Sequence, residues 1–122
     1  MIAPGSCTTA LDTLRAARDW FAEDPMRVCY EVFALDADGH GIPWGALRGT
    51  GARKACSYGA LIMFSATEQV QYNAAAFFLH AIGKPTDGLN GLFIWHDEES
   101  MKGDNLLAAF DRAIALAEGI VT

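Results

Sequence analysis

The sequence predicts a mainly α domain of the α+β class, with four to five helices packed round a central hydrophobic helix and one short β-hairpin. Three stretches carry that prediction. Residues 52–64, Ala-Arg-Lys-Ala-Cys-Ser-Tyr-Gly-Ala-Leu-Ile-Met-Phe, are apolar on nearly every side beyond Lys54, and a helix that is hydrophobic all round must be buried all round. Thr9-Ala10-Leu11-Asp12 and Ser65-Ala66-Thr67-Glu68 both resemble the capping box that opens helices. Residues 26–35 include Val28, Tyr30, Val32 and Phe33, and a run of turn formers follows them.

Taken in order, residues 1–8 carry Pro4, Gly5 and Ser6 and are expected to form a loosely held arm. A helix then starts after Thr9, with Ala10, Leu14, Ala17 and Phe21 on one stripe, Leu11 and Trp20 at its borders, and Pro25 as its stop. Residues 26–35 are expected to be extended. Asp36-Ala37-Asp38-Gly39-His40-Gly41 supplies the turn that sends the chain back towards Ile42 and Trp44. Pro43 confines the return strand to an edge or a short piece, and residues 45–51, with three glycines, form a loop.

The central helix is expected over residues 52–64, where Gly59 and Ala60 would let neighbouring backbones approach closely. A second helix follows the break at Ser65, carrying Val70, Ala74, Phe77, Phe78 and Ala81 on one face, with Gly83 as an αL cap and Pro85 beyond it. Gly88 and Gly91 weaken the segment 86–95 as a helix, by about 1 kcal/mol each relative to alanine. Leu89, Leu92, Phe93 and Trp95 still favour a short one. A polar loop opens at Asp97-Glu98-Glu99 and runs to Gly103. Asp104 then caps a last helix with Leu107, Phe110, Ile114 and Ala117 on one face and Gly119 as its stop.

Length and charge narrow the functional classes. The 122 residues suit one domain, 1–122, and 52% hydrophobic content with 20% charged residues is the composition of a folded globule. Fifteen acidic against nine basic side chains give a formal charge of −6, which argues against direct nucleic-acid binding. It favours instead a protein partner with a basic surface. The longest apolar run, 74–79, is too short to span a bilayer, and the first residues do not read as a secretory signal, so a cytoplasmic protein is expected. Cys7, Cys29 and Cys56 are odd in number and lack paired spacing, so free thiols are expected.

Several residues could carry chemistry. Cys56 follows Arg53 and Lys54 at the start of the expected central helix. The helix dipole and those cations would lower its thiol pKa. Trp95-His96-Asp97 places an imidazole beside a carboxylate, so Cys56, His96 and Asp97 form a candidate nucleophile, base and orienting acid. Against this, neighbouring side chains on a chain usually point apart, and Cys56 also reads as a small buried hydrophobe. Asp36-Ala37-Asp38-Gly39 resembles the start of a calcium loop, but Leu47 stands where such a loop needs its glutamate, so it is read as a turn. With His40, His80 and His96 at no ligand spacing, neither a metal site nor a cofactor is expected. Asp97, Glu98, Glu99 and Asp104 form a candidate acidic binding loop, and Trp44 is a candidate interface anchor.

Three motifs together resemble a small uncharacterised family of actinobacterial and phage proteins: Phe33-Ala34-Leu35-Asp36-Ala37-Asp38-Gly39, Cys56-Ser57-Tyr58-Gly59-Ala60, and Trp95-His96-Asp97 followed by Phe110-Asp111-Arg112-Ala113-Ile114-Ala115-Leu116-Ala117. The resemblance implies a mainly helical domain at home on a mobile genetic element. That family usually has Trp-Asn-Asp where this chain has Trp-His-Asp, which argues against a catalytic role for His96. Two functional expectations follow. One is an acidic, non-enzymatic binding or regulatory protein, such as an inhibitor of a host defence or nucleic-acid-handling protein. The other is a cysteine-dependent hydrolase or transferase using Cys56 and His96. For a small-molecule site, the expected place is the basic turn Arg53-Lys54-Ala55-Cys56, beside the glycine-rich loop that carries Trp44.

Overall fold

A computed structural model describes residues 2–119, and within them the mainly α architecture with one small antiparallel sheet is observed. The helices are α1 (Ala10–Glu23), α2 (Trp44–Leu47), α3 (Ser57–Phe64), α4 (Glu68–Ala81), α5 (Asn90–Glu98) and α6 (Asn105–Ala117). The two strands are β1 (Ala34–Leu35) and β2 (Lys54–Ala55). Every residue of α3 is buried. Helices α1, α2, α4 and α5 pack against it, and α6 closes the bundle across α1 and α4.

Local signals explain most helix ends. The Thr9 hydroxyl accepts from the Asp12 amide at 3.1 Å, and α1 stops two residues before Pro25. Its buried face is Leu14, Ala17 and Phe21, widened by Thr13, Ala16 and Trp20. The cap of α4 is Thr67, whose hydroxyl accepts from the Val70 amide, rather than Ser65. Gly83 and Gly119 take the left-handed conformation, φ 74° and 71°, just past α4 and α6. The buried face of α6 is turned from the expected one, to Leu106, Ala109, Phe110 and Ala113. Two of these are alanines, which let α6 approach both α1 and α4 closely.

Five expectations are corrected. The central helix begins at Ser57, not Ala52, because Lys54 and Ala55 are spent on the sheet, with Ala34 paired to Ala55 and Leu35 to Lys54. The turn at 36–41 forms, and Leu35 pairs antiparallel with Gly41 through bonds from the Ile42 amide to the Ala34 carbonyl and from the Asp36 amide to the His40 carbonyl, both at 2.9 Å, but the return is this one bridge and not a strand reaching Trp44. Pro43 has no N–H to continue, so the ladder partner of β1 is β2. Residues 26–35 are not one strand: Pro25–Arg27 form a 3-10 turn, and Glu31 has φ 68°, which breaks the extended run. Trp44 opens the short helix α2, whose Leu47 is fully buried. The arm is not loose: the Gly5 amide donates to the Met63 carbonyl at 2.8 Å, Cys7 donates to Phe64 at 3.0 Å, and Cys7 is buried. The last carbonyls of a helix have no partner within it, and the arm supplies donors for those of α3. Met1, part of the expected arm, lies outside the described residues.

Two aromatic clusters flank α3. Phe78 joins Phe110 and Trp95 at ring distances of 4.8 and 5.6 Å in the main core. Phe33, Tyr58 and Phe93 form a second cluster at 5.7 to 6.2 Å on the side of the sheet. Behind it, Arg48 donates to the carbonyl and hydroxyl of Ser65 and to the Gln71 side chain, which donates to the Tyr58 hydroxyl at 2.6 Å.

The tightest constraint is at Gly59, where a Cβ would lie 1.9 Å from the Phe33 carbonyl oxygen. Backbone cannot yield as a flexible side chain does. Gly59→Ala should therefore cost about 3 kcal/mol or more in urea unfolding. Gly88→Ala, where a Cβ meets nothing within 4 Å, should change stability by less than about 0.5 kcal/mol. Equal costs at the two sites would refute the close approach.

Candidate functional site

A cavity of about 580 Å³ lies between the sheet segment and α5. One wall is Glu31, Val32 and Phe33, and a second is Gly41, Ile42 and Pro43. Cys56 contributes from the start of α3, while Phe93, His96 and Asp97 contribute from α5. Glu31, Val32, Gly41 and Pro43 are exposed, so the cavity opens to solvent. The loop walls are set by turn chemistry, since one Asp36 carboxylate oxygen accepts from the amides of Asp38 and His40. Those bonds hold the Asp36 carboxyl below the usual range.

The structure brings Cys56, His96 and Asp97 to this one cavity, but each is engaged in holding the fold. Cys56 is the N-cap of α3, its sulfur accepting from the Gly59 amide at 3.2 Å. Contrary to expectation, its thiol is not activated. Burial pushes it up to about 12, against the small lowering effect of the Gly59 amide, and Cys29 and Asp97 nearby push it further the same way. Arg53 and Lys54 lie on the strand side and not in a helical turn beneath the thiol. Burial likewise lifts Cys29 to about 11, with Lys54 pulling against it.

His96 is 1% exposed and lies within α5. Its Nε2 is 2.8 Å from the Cys29 carbonyl. A carbonyl only accepts, so Nε2 carries the proton, which leaves Nδ1 to accept from the Ser57 amide at 3.3 Å. Both nitrogens of a neutral ring are thus committed to backbone. Burial lowers the pKa of His96, opposed by the Cys29 carbonyl and Asp97, and Tyr30 packs over the ring at 5.2 Å. Asp97 does not orient His96; its Oδ1 accepts from the Glu31 amide at 3.1 Å.

The acidic residues are dispersed. Asp97 and Glu98 belong to α5 and Glu99 is its C-cap, so the expected loop starts later. Glu99 pairs with Lys102 at 3.1 Å. Asp104 precedes α6 without a side-chain cap bond and lines a separate hollow of about 250 Å³ with Met101 and Leu107. Trp44 follows Pro43 of the cavity wall and is 57% exposed. Nothing local in the sequence marks Glu31, Val32, Phe33, Gly41, Ile42, Pro43 or Phe93 as site residues. The turn chemistry at 36–41 and the αL residue Glu31 bring them together, and only the turn is visible in the sequence. Asp36, Asp38 and His40 offer ligand atoms within 4.8 Å of one another, a cluster that the spacing of the histidines alone conceals.

No protein-family model, curated protein or solved structure matches this chain.

Two measurements check the chemistry. Cys56 should resist iodoacetamide at pH 7.5 in the folded protein and react once unfolded, since little thiolate is present. Rapid native alkylation would overturn the buried-thiol assignment. For His96, the folded pKa lies below the unfolded value of about 6.5. Below that pH the unfolded chain takes up a proton that the buried ring refuses, so stability should fall as pH drops through 6.5. His96→Gln should lose that part of the decline. Unfolding curves of wild type and variant that stay parallel from pH 7 to 5 would refute it.

Proposed function

We propose that this protein is a non-enzymatic binding protein of regulatory type, whose ligand site is the cavity between residues 31–43 and α5. The observation that carries this reading is the cavity's volume of about 580 Å³ together with its lining, mostly apolar with a few polar groups at fixed positions. Sites for small molecules have that size and make-up. The site's would-be catalytic groups also support binding over chemistry. A nucleophile needs a thiolate and a base with a free lone pair, whereas Cys56 is held neutral and His96 has both nitrogens on backbone. Of the small-molecule site expected at Arg53-Lys54-Ala55-Cys56 beside the Trp44 loop, Cys56 lines this cavity, while Arg53 and Lys54 are not part of its lining.

The neutral probe 1-naphthalenemethanol, followed by its fluorescence, should bind the wild type. Gly41→Trp should weaken binding by about tenfold or more, because an indole competes for the space. A Cβ at Gly41 meets nothing within 4 Å, so the variant should keep its thermal stability. Equal binding by both proteins would place the probe elsewhere. Absence of binding to the wild type by this probe and by its amine and carboxylate analogues alike would overturn the small-ligand reading and leave the exposed Trp44 and the net charge of −6 as support for a basic protein partner, such as a host defence or nucleic-acid-handling protein.

A further inference from the structure

The side-chain oxygens that line the cavity belong to two carboxylates, those of Asp97 and Glu31. His96 has both nitrogens engaged, and the Cys56 sulfur already accepts from Gly59. Asp97 uses one oxygen on the Glu31 amide, and its other oxygen has no hydrogen-bond partner among the described residues. Glu31, whose amide makes that bond, also lines the cavity and is exposed. No lysine or arginine lines the cavity, and neither carboxylate forms an ion pair among the described residues.

The molecule's own cations are committed or elsewhere. Arg27 is held by the Trp20 carbonyl and Glu23, and Arg48 by Ser65 and Gln71. Lys54 lies near enough to Cys29 to act on its thiol, yet it is not part of the lining. Asp36 and Asp38 on the adjoining turn, and the net charge of −6, add to the negative field at the mouth. An anionic ligand would meet two carboxylates and no counter-charge.

The remainder of the lining is hydrophobic. Phe33 and Phe93 meet edge to face with ring centroids 5.7 Å apart, and Val32, Ile42 and Pro43 complete the apolar part. That surface would strip water from a bare metal ion without supplying the oxygens it needs. It suits an organic body, and aromatic rings also favour a nearby organic cation.

Building on the cavity as a ligand site, we propose that its ligand is a small hydrophobic amine, its ammonium group bound by Asp97 and Glu31 and its apolar body packed against Phe33, Phe93 and Ile42. The ammonium supplies the donors that the free carboxylate oxygens lack. Asp97 is the principal contact because it is half-buried and its orientation is fixed by the Glu31 amide. Glu31 adds charge at the entrance.

Three probes of one shape separate charge from fit: 1-naphthylmethylamine, 1-naphthalenemethanol and 1-naphthoate, titrated at low salt and followed by fluorescence. The amine should bind at least about tenfold tighter than the alcohol, and the carboxylate weakest of the three. Asp97→Asn keeps an acceptor for the Glu31 amide; it should weaken the amine about tenfold and leave the alcohol unchanged. Glu31→Gln, at an exposed position, should weaken the amine about threefold, and it serves as the test if Asp97→Asn fails to fold. Alcohol binding as tightly as amine, or amine binding insensitive to both substitutions, would overturn the amine assignment while leaving the cavity a ligand site. Failure of all three probes to bind would overturn both.

Discussion

The structure depends on one close approach, that of the Phe33 carbonyl to the start of α3. The carbonyl accepts from the Cys56 amide at 2.9 Å, and it can come so near only because Gly59 has no side chain. This contact joins the sheet to the buried helix. It brings β1 beside β2, seats Phe33 against Tyr58 and Phe93, and so builds one wall of the cavity. A helix with no exposed face leaves its neighbours little freedom, since each must bury apolar surface against it and satisfy its end groups. The arm at Gly5 and Cys7 does this at the other end of α3.

The consecutive residues His96 and Asp97 act as two clamps on one loop. His96 holds the Cys29 carbonyl and the Ser57 amide, tying the loop to α3, while Asp97 holds the Glu31 amide two residues further on. Neighbours on a helix point in different directions. That is why this pair serves two separate backbone sites and not a relay along Cys56, His96 and Asp97. A buried neutral histidine bonded at both nitrogens is also an efficient structural residue, because leaving either nitrogen unpaired in the interior would cost about 1 to 3 kcal/mol.

Much of the helical frame is legible in the sequence because its signals are local. The Thr9 cap, Pro25, Gly83 and Gly119 each act within a turn of the chain, and the stripe of α1 is a matter of spacing. The misplaced elements depend on partners far away. Residues 52–56 look helical by composition, but Lys54 and Ala55 pair with residues about twenty positions earlier. The polar run at 97–99 suggests a loop, yet Asp97 is drawn into helix and cavity by its bond to Glu31, 66 positions away. His96 looks exposed beside Asp97, and its burial follows from the Cys29 carbonyl, which nothing local announces. The cavity assembles from four segments distant in sequence, so only its single members, Cys56, His96 and Asp97, could be picked out beforehand.

Glu31 ties backbone geometry to the charge of the site. A non-glycine residue at φ 68° costs about 1 to 2 kcal/mol relative to a relaxed backbone, and glycine, or failing that asparagine or aspartate, is the residue that position would favour. The Asp97 bond to its amide helps hold the conformation in place. Strain of this kind persists where surrounding structure over-determines it, and such places cluster at ligand sites. Here the strained residue is itself acidic and lines an apolar cavity, and its amide is held by a second acid of the same lining. The same hydrogen bond therefore shapes the wall and fixes the orientation of the Asp97 carboxylate. A ligand that engages Asp97 acts directly on the residue that secures the strained loop, so occupancy and loop geometry are coupled through a single side chain.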